Sequence, residues 1–145
     1  MRAAFSDDFN VFGNLFGWKH AFFYGDGSDF EIGKGEQLTE GNDIAIVATG
    51  LMVNEARKAA ETLAAEGIHA RVINIHTIKP LDEEIVLKAA KECGKVITAE
   101  EHNVIGGLGE AVCSLLSEKL PTPVRRVGVQ DVFCLLYTSP SPRDA

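Results

Sequence analysis

Apolar runs and amphipathic segments alternate along the middle of this chain. The run Ile44–Ala48 is continuously apolar, which is typical of a strand buried on both faces of a sheet. From about residue 51 to 66, apolar side chains recur at helical spacing and charged ones fill the opposite face. Gly67 then marks the expected end of the helix. The pattern predicts a strand, a turn and a helix in succession.

The same unit recurs twice more before a final apolar strand. Asp82 is a good N-cap for the second helix, and Gly94 is its expected stop. The predicted elements after the first unit are strands at residues 70–75, 95–100 and 124–129, and helices at about 82–93 and 107–119.

This succession of elements determines the fold class. Strands joined by single helices must run parallel, with right-handed crossovers and helices on both faces of the sheet. Residues 30–38 alternate loosely and reach the next strand through a short turn at 40–42, so this first strand is expected to be antiparallel. We therefore predict a three-layer α/β/α sandwich with a five-stranded, mostly parallel sheet and one antiparallel edge strand.

Composition restricts the class of protein. Hydrophobic residues make up 46% of the chain and charged residues 24%, as in an ordinary globular domain. The net charge of -7 disfavours nucleic acid or an anionic membrane as a partner, and no apolar run is long enough to cross a bilayer. Cys93, Cys113 and Cys134 are widely spaced without a CxxC pair, which predicts reduced thiols in the cytoplasm and neither a disulfide nor a zinc site.

The two ends differ from the middle. Six of the eight phenylalanines fall within the first 23 residues, interrupted by glycine and asparagine. Residues 1–28 are therefore interpreted as a poorly ordered leader of doubtful origin, with an aromatic docking arm as the alternative. Residues 134–145 resemble a translated sequencing adapter or a disordered Pro/Ser-rich tail. The organised domain is expected to occupy residues 29–133.

In parallel sheets, ligands bind beyond the carboxyl ends of the strands, and the turn before the last helix is the richest one there. Gly106, Gly107 and Gly109 at a helix start expose backbone N–H groups, which suits an anion or a carboxylate. In the alternative interpretation, these glycines allow close packing and the acids of Glu100–Glu101 bind the N–H groups. The GxGxxG dinucleotide fingerprint is absent.

The other candidates also follow strand ends. His76 and His102 together with Glu101 suit a metal or a proton relay, but without local ligand spacing hydrogen bonds at an interface or loop are the favoured interpretation. Lys79 either meets a phosphate or a partner's acid, or belongs to a helix-entry turn. We predict no catalytic residue and no metal ligand. The candidate anion or interface site comprises Glu101, His102, Asn103, Gly106, Gly107, Gly109, His76 and Lys79.

Three stretches carry a family resemblance. Residues 43–50 (DIAIVATG), 72–82 (VINIHTIKPLD) and 100–109 (EEHNVIGGLG) resemble, in this order, the C-terminal domain of transketolases. The likeness is to the second subunit of the two-subunit type, in which this domain follows a pyrimidine-binding domain. Related domains end deoxyxylulose-phosphate synthases and the beta subunits of 2-oxoacid dehydrogenases.

The resemblance implies a whole enzyme that moves a two-carbon ketol unit between sugar phosphates in the pentose phosphate pathway. Such enzymes use thiamine diphosphate and Mg²⁺, held between diphosphate-binding and pyrimidine-binding domains, and the essential glutamate belongs to the latter. This chain is then expected to bind no cofactor itself. It would act as a structural and interface domain whose partners are those domains or subunits, within a homo- or hetero-oligomer.

Two further interpretations stay open from the sequence. One is the C-terminal domain of a deoxyxylulose-phosphate synthase, or of a 2-oxoacid dehydrogenase beta subunit acting as a docking module. The other is a free-standing sensor of small molecules that uses the anion site at residues 106–109.

Overall fold

The computed structural model describes residues 31–131, so the predicted leader and the whole predicted tail lie outside the described residues. Five strands and three helices follow one another in this part of the chain. They are β1 (Glu36–Gln37), β2 (Ile44–Ala48), α1 (Met52–Ala65), β3 (Ala70–Asn74), α2 (Glu83–Cys93), β4 (Val96–Asn103), α3 (Leu108–Lys119) and β5 (Val124–Val129).

The strands form one five-stranded sheet in the order β1-β3-β2-β4-β5. The short strand β1 pairs antiparallel with β3, and all other neighbours are parallel. The predicted fold class is confirmed, including the antiparallel edge strand. That strand is shorter than its sequence pattern suggested, because only Glu36 and Gln37 pair with β3.

Apolar side chains fill both faces of the sheet and make the sandwich three-layered. The cluster between the sheet and helices α2 and α3 includes Val47, Ile73, Val86, Leu108 and Val112. The cluster on the opposite face includes Ile46, Val72, Val53, Ala56 and Ala60, where α1 covers the sheet. Burial of these side chains supplies the main favourable term in folding.

Helix α2 begins and ends as the sequence predicts. The Asp82 carboxylate accepts a hydrogen bond from the Ile85 N–H at 3.3 Å and one from the Gly35 N–H at 2.9 Å, so it also fixes the segment before β1. Gly94 ends the helix with a φ of 70°, a left-handed conformation that glycine adopts without steric cost.

Strand β4 runs three residues further than predicted, to Asn103. Beyond Ala99 it pairs with β5 alone, with a register shift between Ala99 and Asn103. The sequence pattern stopped at Glu100 because acidic residues and histidine interrupt the apolar run. At the rim of the sheet, however, side chains can point to water without breaking the strand.

In the described part of the chain, no helix combines the length and the apolar character needed to cross a bilayer.

Candidate functional site at the carboxyl edge of the sheet

The predicted site residues lie at the carboxyl edge of the parallel strands. His76 and Lys79 follow β3, while Glu101, His102 and Asn103 are the last residues of β4 rather than part of a turn. The glycines precede or begin α3. Strand β2 lies between β3 and β4, so the strands that carry the two groups lie roughly 10 Å apart, the width of two strand spacings.

Glu100 is the residue that organises this edge. Glu100 is only 2% exposed. Its carboxylate accepts hydrogen bonds from the N–H groups of Leu108 and Gly109, both at 2.8 Å. These N–H groups begin helix α3, where the helix dipole favours negative charge. The carboxylate therefore occupies the position that an external anion would take.

The three glycines of this loop have different structural reasons, and only at Gly107 would an added Cβ collide with the Glu100 carboxylate. A Cβ added at Gly107 would collide with the Glu100 Oε2 atom and lie 2.8 Å from the carbonyl oxygen of Asn103. A Cβ at Gly109 would lie 2.9 Å from the Thr98 hydroxyl oxygen. Gly106 is different, because it has open space around it but a φ of 76°. Packing requires two of the glycines, and backbone conformation favours the third.

The outer part of the loop is fixed by further hydrogen bonds. The Asn103 side-chain oxygen accepts from the Ile105 N–H at 2.8 Å, and the Glu110 carboxylate accepts from the Gly106 N–H at 2.6 Å. Arg126 donates to the Val104 carbonyl oxygen at 3.1 Å. Of the two acids in the second interpretation above, Glu100 binds N–H groups at the start of the helix, whereas the contacts of Asn103, Glu110 and Arg126 were not part of that interpretation.

Three of the four remaining candidates are exposed at the surface. Glu101, His102 and Lys79 are exposed, and His76 is half-buried. The peptide bond between Lys79 and Pro80 is cis. Over residues 31–131, no group of three or more His, Cys, Asp or Glu side chains is placed to hold a metal ion.

The residues at the carboxyl edge of the sheet do not suit the binding of a diphosphate through Mg²⁺. Such a group needs clustered oxygen ligands for the metal and open N–H or cationic donors for the phosphates. At this edge, the N–H groups of Gly106, Leu108 and Gly109 are already bonded to Glu110 and Glu100. No catalytic step is therefore assigned to the described residues.

A second polar cluster, which the sequence did not indicate, lies at the opposite, amino end of the strands. Arg71 is 4% exposed and donates to the Gly41 carbonyl oxygen at 3.0 Å and to the Asn42 side-chain oxygen at 2.8 Å. Its guanidinium also pairs with Glu92 near the end of α2. A buried charge needs such partners. The cluster ties the turn before β2 to the end of α2.

The thiol of Cys93 adjoins this cluster. Its Sγ atom lies 3.6 Å from the Gly41 carbonyl oxygen, and burial raises the pKa of the thiol. A raised thiol pKa lowers the fraction of reactive thiolate. Cys93 is therefore a buried core thiol of lowered reactivity.

The Arg71–Glu92 pair predicts a specific dependence of stability on pH. The hydrogen bond from Arg71 lowers the pKa of the Glu92 carboxyl below its ordinary value of 4.5. A carboxyl with a lowered folded-state pKa stabilises the fold above the ordinary value, and this stabilisation is lost as the pH falls through the folded-state pKa. Between neutral and acid pH, the Glu92→Gln variant is expected to lose less free energy of unfolding than the unmodified chain.

Urea unfolding at a series of pH values measures this difference. Glu118→Gln, which changes an exposed glutamate on α3, is the matched control and is expected to follow the unmodified chain. If the free energy of unfolding falls equally with pH for Glu92→Gln and the unmodified chain, the Arg71–Glu92 pair contributes nothing to the pH dependence.

Comparison with known proteins identifies relatives of this fold. The family described as "Transketolase, C-terminal domain" matches residues 33–141. The 6-deoxy-6-sulfo-D-fructose transketolase subunit SqwH of Clostridium sp. (strain MSTE9) is 55% identical over 105 residues, which are 72% of this chain and 33% of that subunit. A putative transketolase C-terminal section of Methanocaldococcus jannaschii is 48% identical over 105 residues, 72% of this chain and 32% of that protein.

Two further similarities bear on function. The 1-deoxy-D-xylulose-5-phosphate synthase of Heliobacterium modesticaldum is 48% identical over 103 residues, 70% of this chain and 16% of the synthase. A solved structure described as a split gene transketolase, an inactive beta4 tetramer, superposes with a TM-score of 0.71 at 53% identity, covering 73% of this chain and 35% of that one. The chain thus spans about a third of the length of these transketolase relatives.

Proposed function

We propose that this chain, which belongs to the transketolase C-terminal domain family, is the C-terminal domain of the second subunit of a split transketolase. The support is the match over residues 33–141 and the 55% identity to a protein named as a transketolase subunit, of which the chain spans 33%. The domain would serve a structural role, positioning its neighbouring domain and extending the subunit interface.

The whole enzyme would transfer a two-carbon ketol unit between sugar phosphates in the pentose phosphate pathway. Thiamine diphosphate and Mg²⁺ would be held by its diphosphate-binding and pyrimidine-binding domains and supply the carbanion chemistry. One observation carries the structural role of this domain. At the edge where ligands bind in such sheets, Glu100 occupies the N–H groups of Leu108 and Gly109.

An oligomeric assembly in the cytoplasm follows from this proposal. The relative from Clostridium sp. is named as a subunit, and the similar solved structure is described as a tetramer. Cys93 and Cys113 are free thiols, as is usual in a reducing compartment.

We further propose that residues 29–133 are the native domain and that residues 1–28 and 134–145 are not part of it. The identity to the Clostridium subunit extends over 105 residues, the length of this span. The family match continues past this boundary to residue 141.

The second candidate is the C-terminal domain of a deoxyxylulose-phosphate synthase, favoured by the 48% identity to the Heliobacterium modesticaldum enzyme. A graft distinguishes the two. Residues 31–131 replace the matched segment either in the Clostridium transketolase subunit or in that synthase. We expect ketol transfer to persist in the first graft and to be lost when the segment is deleted. Activity confined to the synthase graft would favour the second candidate.

A separate measurement tests the proposal that other domains, and not this chain, bind the cofactor. Calorimetry of the isolated chain with thiamine diphosphate and Mg²⁺ is expected to show no binding heat. Tight binding would contradict the structural role, because it would place cofactor contacts within this chain.

A further inference from the structure

Three of the five large apolar side chains that are exposed in the described residues lie at the carboxyl edge of the sheet. They are Ile32 (71% exposed), Ile78 (36%) and Ile105 (59%). Ile78 is in the turn after β3, and Ile105 is in the loop after β4. We call Ile32, Ile78 and Ile105 the carboxyl-edge patch.

The loop that carries Ile105 is held in place. The Ile105 N–H donates a hydrogen bond to the Asn103 side-chain oxygen at 2.8 Å, and the Gly106 N–H donates one to the Glu110 carboxylate at 2.6 Å. The buried Glu100 carboxylate anchors the inner side of the same loop. An apolar side chain on a pre-organised loop loses little conformational entropy when a partner covers it. This arrangement suits a permanent contact surface better than a solvated loop.

The chain enters the domain at this same edge. A Cβ at Gly33 would lie 3.0 Å from the Pro80 ring, in the turn that carries Ile78. The Gly35 N–H, two residues further on, is bonded to Asp82 at 2.9 Å. Residues 33–35 are thus fixed against the β3–α2 turn, and any polypeptide that precedes Ile32 is attached beside the carboxyl-edge patch.

The length of the Clostridium subunit indicates which polypeptide precedes this domain in a relative. The chain spans 33% of the Clostridium subunit, and its family is named as the C-terminal domain, so the remaining two thirds of such a subunit precede it. Interfaces typically surround apolar contacts with a polar rim. Lys79 and His102, both exposed, lie beside Ile78 and near Ile105 in the chain and would form that rim.

We propose that the carboxyl-edge patch is the docking surface for the preceding domain of the same subunit. This inference rests on the function proposed above and adds which face of the domain makes the contact. Ile78 and Ile105 are the anchors from two separate loops, and Ile32 brings the connecting segment to the contact.

The test uses the full chain and the upstream two thirds of the Clostridium subunit, produced without its matched segment and added as a separate protein. Interferometry gives the dissociation constant for the unmodified chain and for the variants Ile78→Ser and Ile105→Ser. Each variant is expected to bind about tenfold more weakly, the usual loss for a truncated apolar anchor. Ile68→Ser is the matched control, because Ile68 is 38% exposed but lies at the opposite end of β3.

Hydrogen exchange gives a second readout that needs no variant. Residues 76–81 and 101–107 are expected to gain protection when the upstream protein is added. Unchanged binding by both anchor variants, equal weakening by Ile68→Ser, or protection only at the amino end of the strands would overturn the surface assignment alone. If the unmodified chain fails to bind, the structural role under the proposed function is contradicted along with it.

Discussion

Replacing Gly107 with alanine is expected to lower the free energy of unfolding by about 3 kcal/mol or more. The added methyl group would collide with the Glu100 carboxylate and crowd the Asn103 carbonyl oxygen at 2.8 Å. The carboxylate would have to leave the start of α3, and the buried N–H groups of Leu108 and Gly109 would lose their acceptor. Urea unfolding monitored by circular dichroism measures the change.

Gly106→Ala is the control for this substitution. It introduces the same methyl group one residue earlier, where nothing lies within 4 Å, but at a φ of 76°. The expected cost is the backbone strain alone, about 1 kcal/mol. Equal losses for the two variants would mean that conformation and not contact with Glu100 explains the glycine at position 107.

The fold was predictable because its signals are local. Each apolar run with its following amphipathic segment specifies one strand and one helix, and the short connection before β2 requires β1 to run antiparallel to β2, although β1 pairs with β3. The order of the strands is not local, because it depends on which helix covers which face. For this reason the sequence did not show that β2 separates His76 from His102.

The anchoring role of Glu100 was only partly visible in the sequence. The candidate set included its neighbour Glu101, which is exposed, while Glu100 is buried. The missing signal was the strand period of two. Val96, Thr98 and Glu100 alternate along β4, so they share the face that packs on α3. Ending the predicted strand at Glu100 placed Glu101 in a turn, so the alternation was not used to assign the two acids to opposite faces of β4.

The partner of Arg71 could not be found from the sequence at all. A charged residue inside an apolar strand predicts some buried counter-charge. Its partner Glu92 is 21 residues away, near the end of α2, and is one of many exposed acids in the pattern. Only the packing of α2 against the sheet places Glu92, among these acids, beside Arg71.

Glu100→Ala is expected to be the more damaging of the two substitutions at this edge, with a loss of about 4 kcal/mol in the free energy of unfolding. It leaves two buried N–H groups without an acceptor and opens a cavity at the start of α3. Glu110→Ala is the matched control. It also removes a carboxylate that binds an N–H of this loop, but that hydrogen bond is exposed, so about 1 kcal/mol or less is expected.

A double variant separates contact from general disruption. If Gly107→Ala acts by displacing the Glu100 carboxylate, it should cost little more once that carboxylate is gone. The combined Glu100→Ala and Gly107→Ala chain is therefore expected to unfold close to Glu100→Ala alone, well short of the sum of the two losses. Urea unfolding of all four chains gives the coupling. Fully additive losses would show that the glycine and the glutamate stabilise the loop independently, contrary to the close approach seen between them.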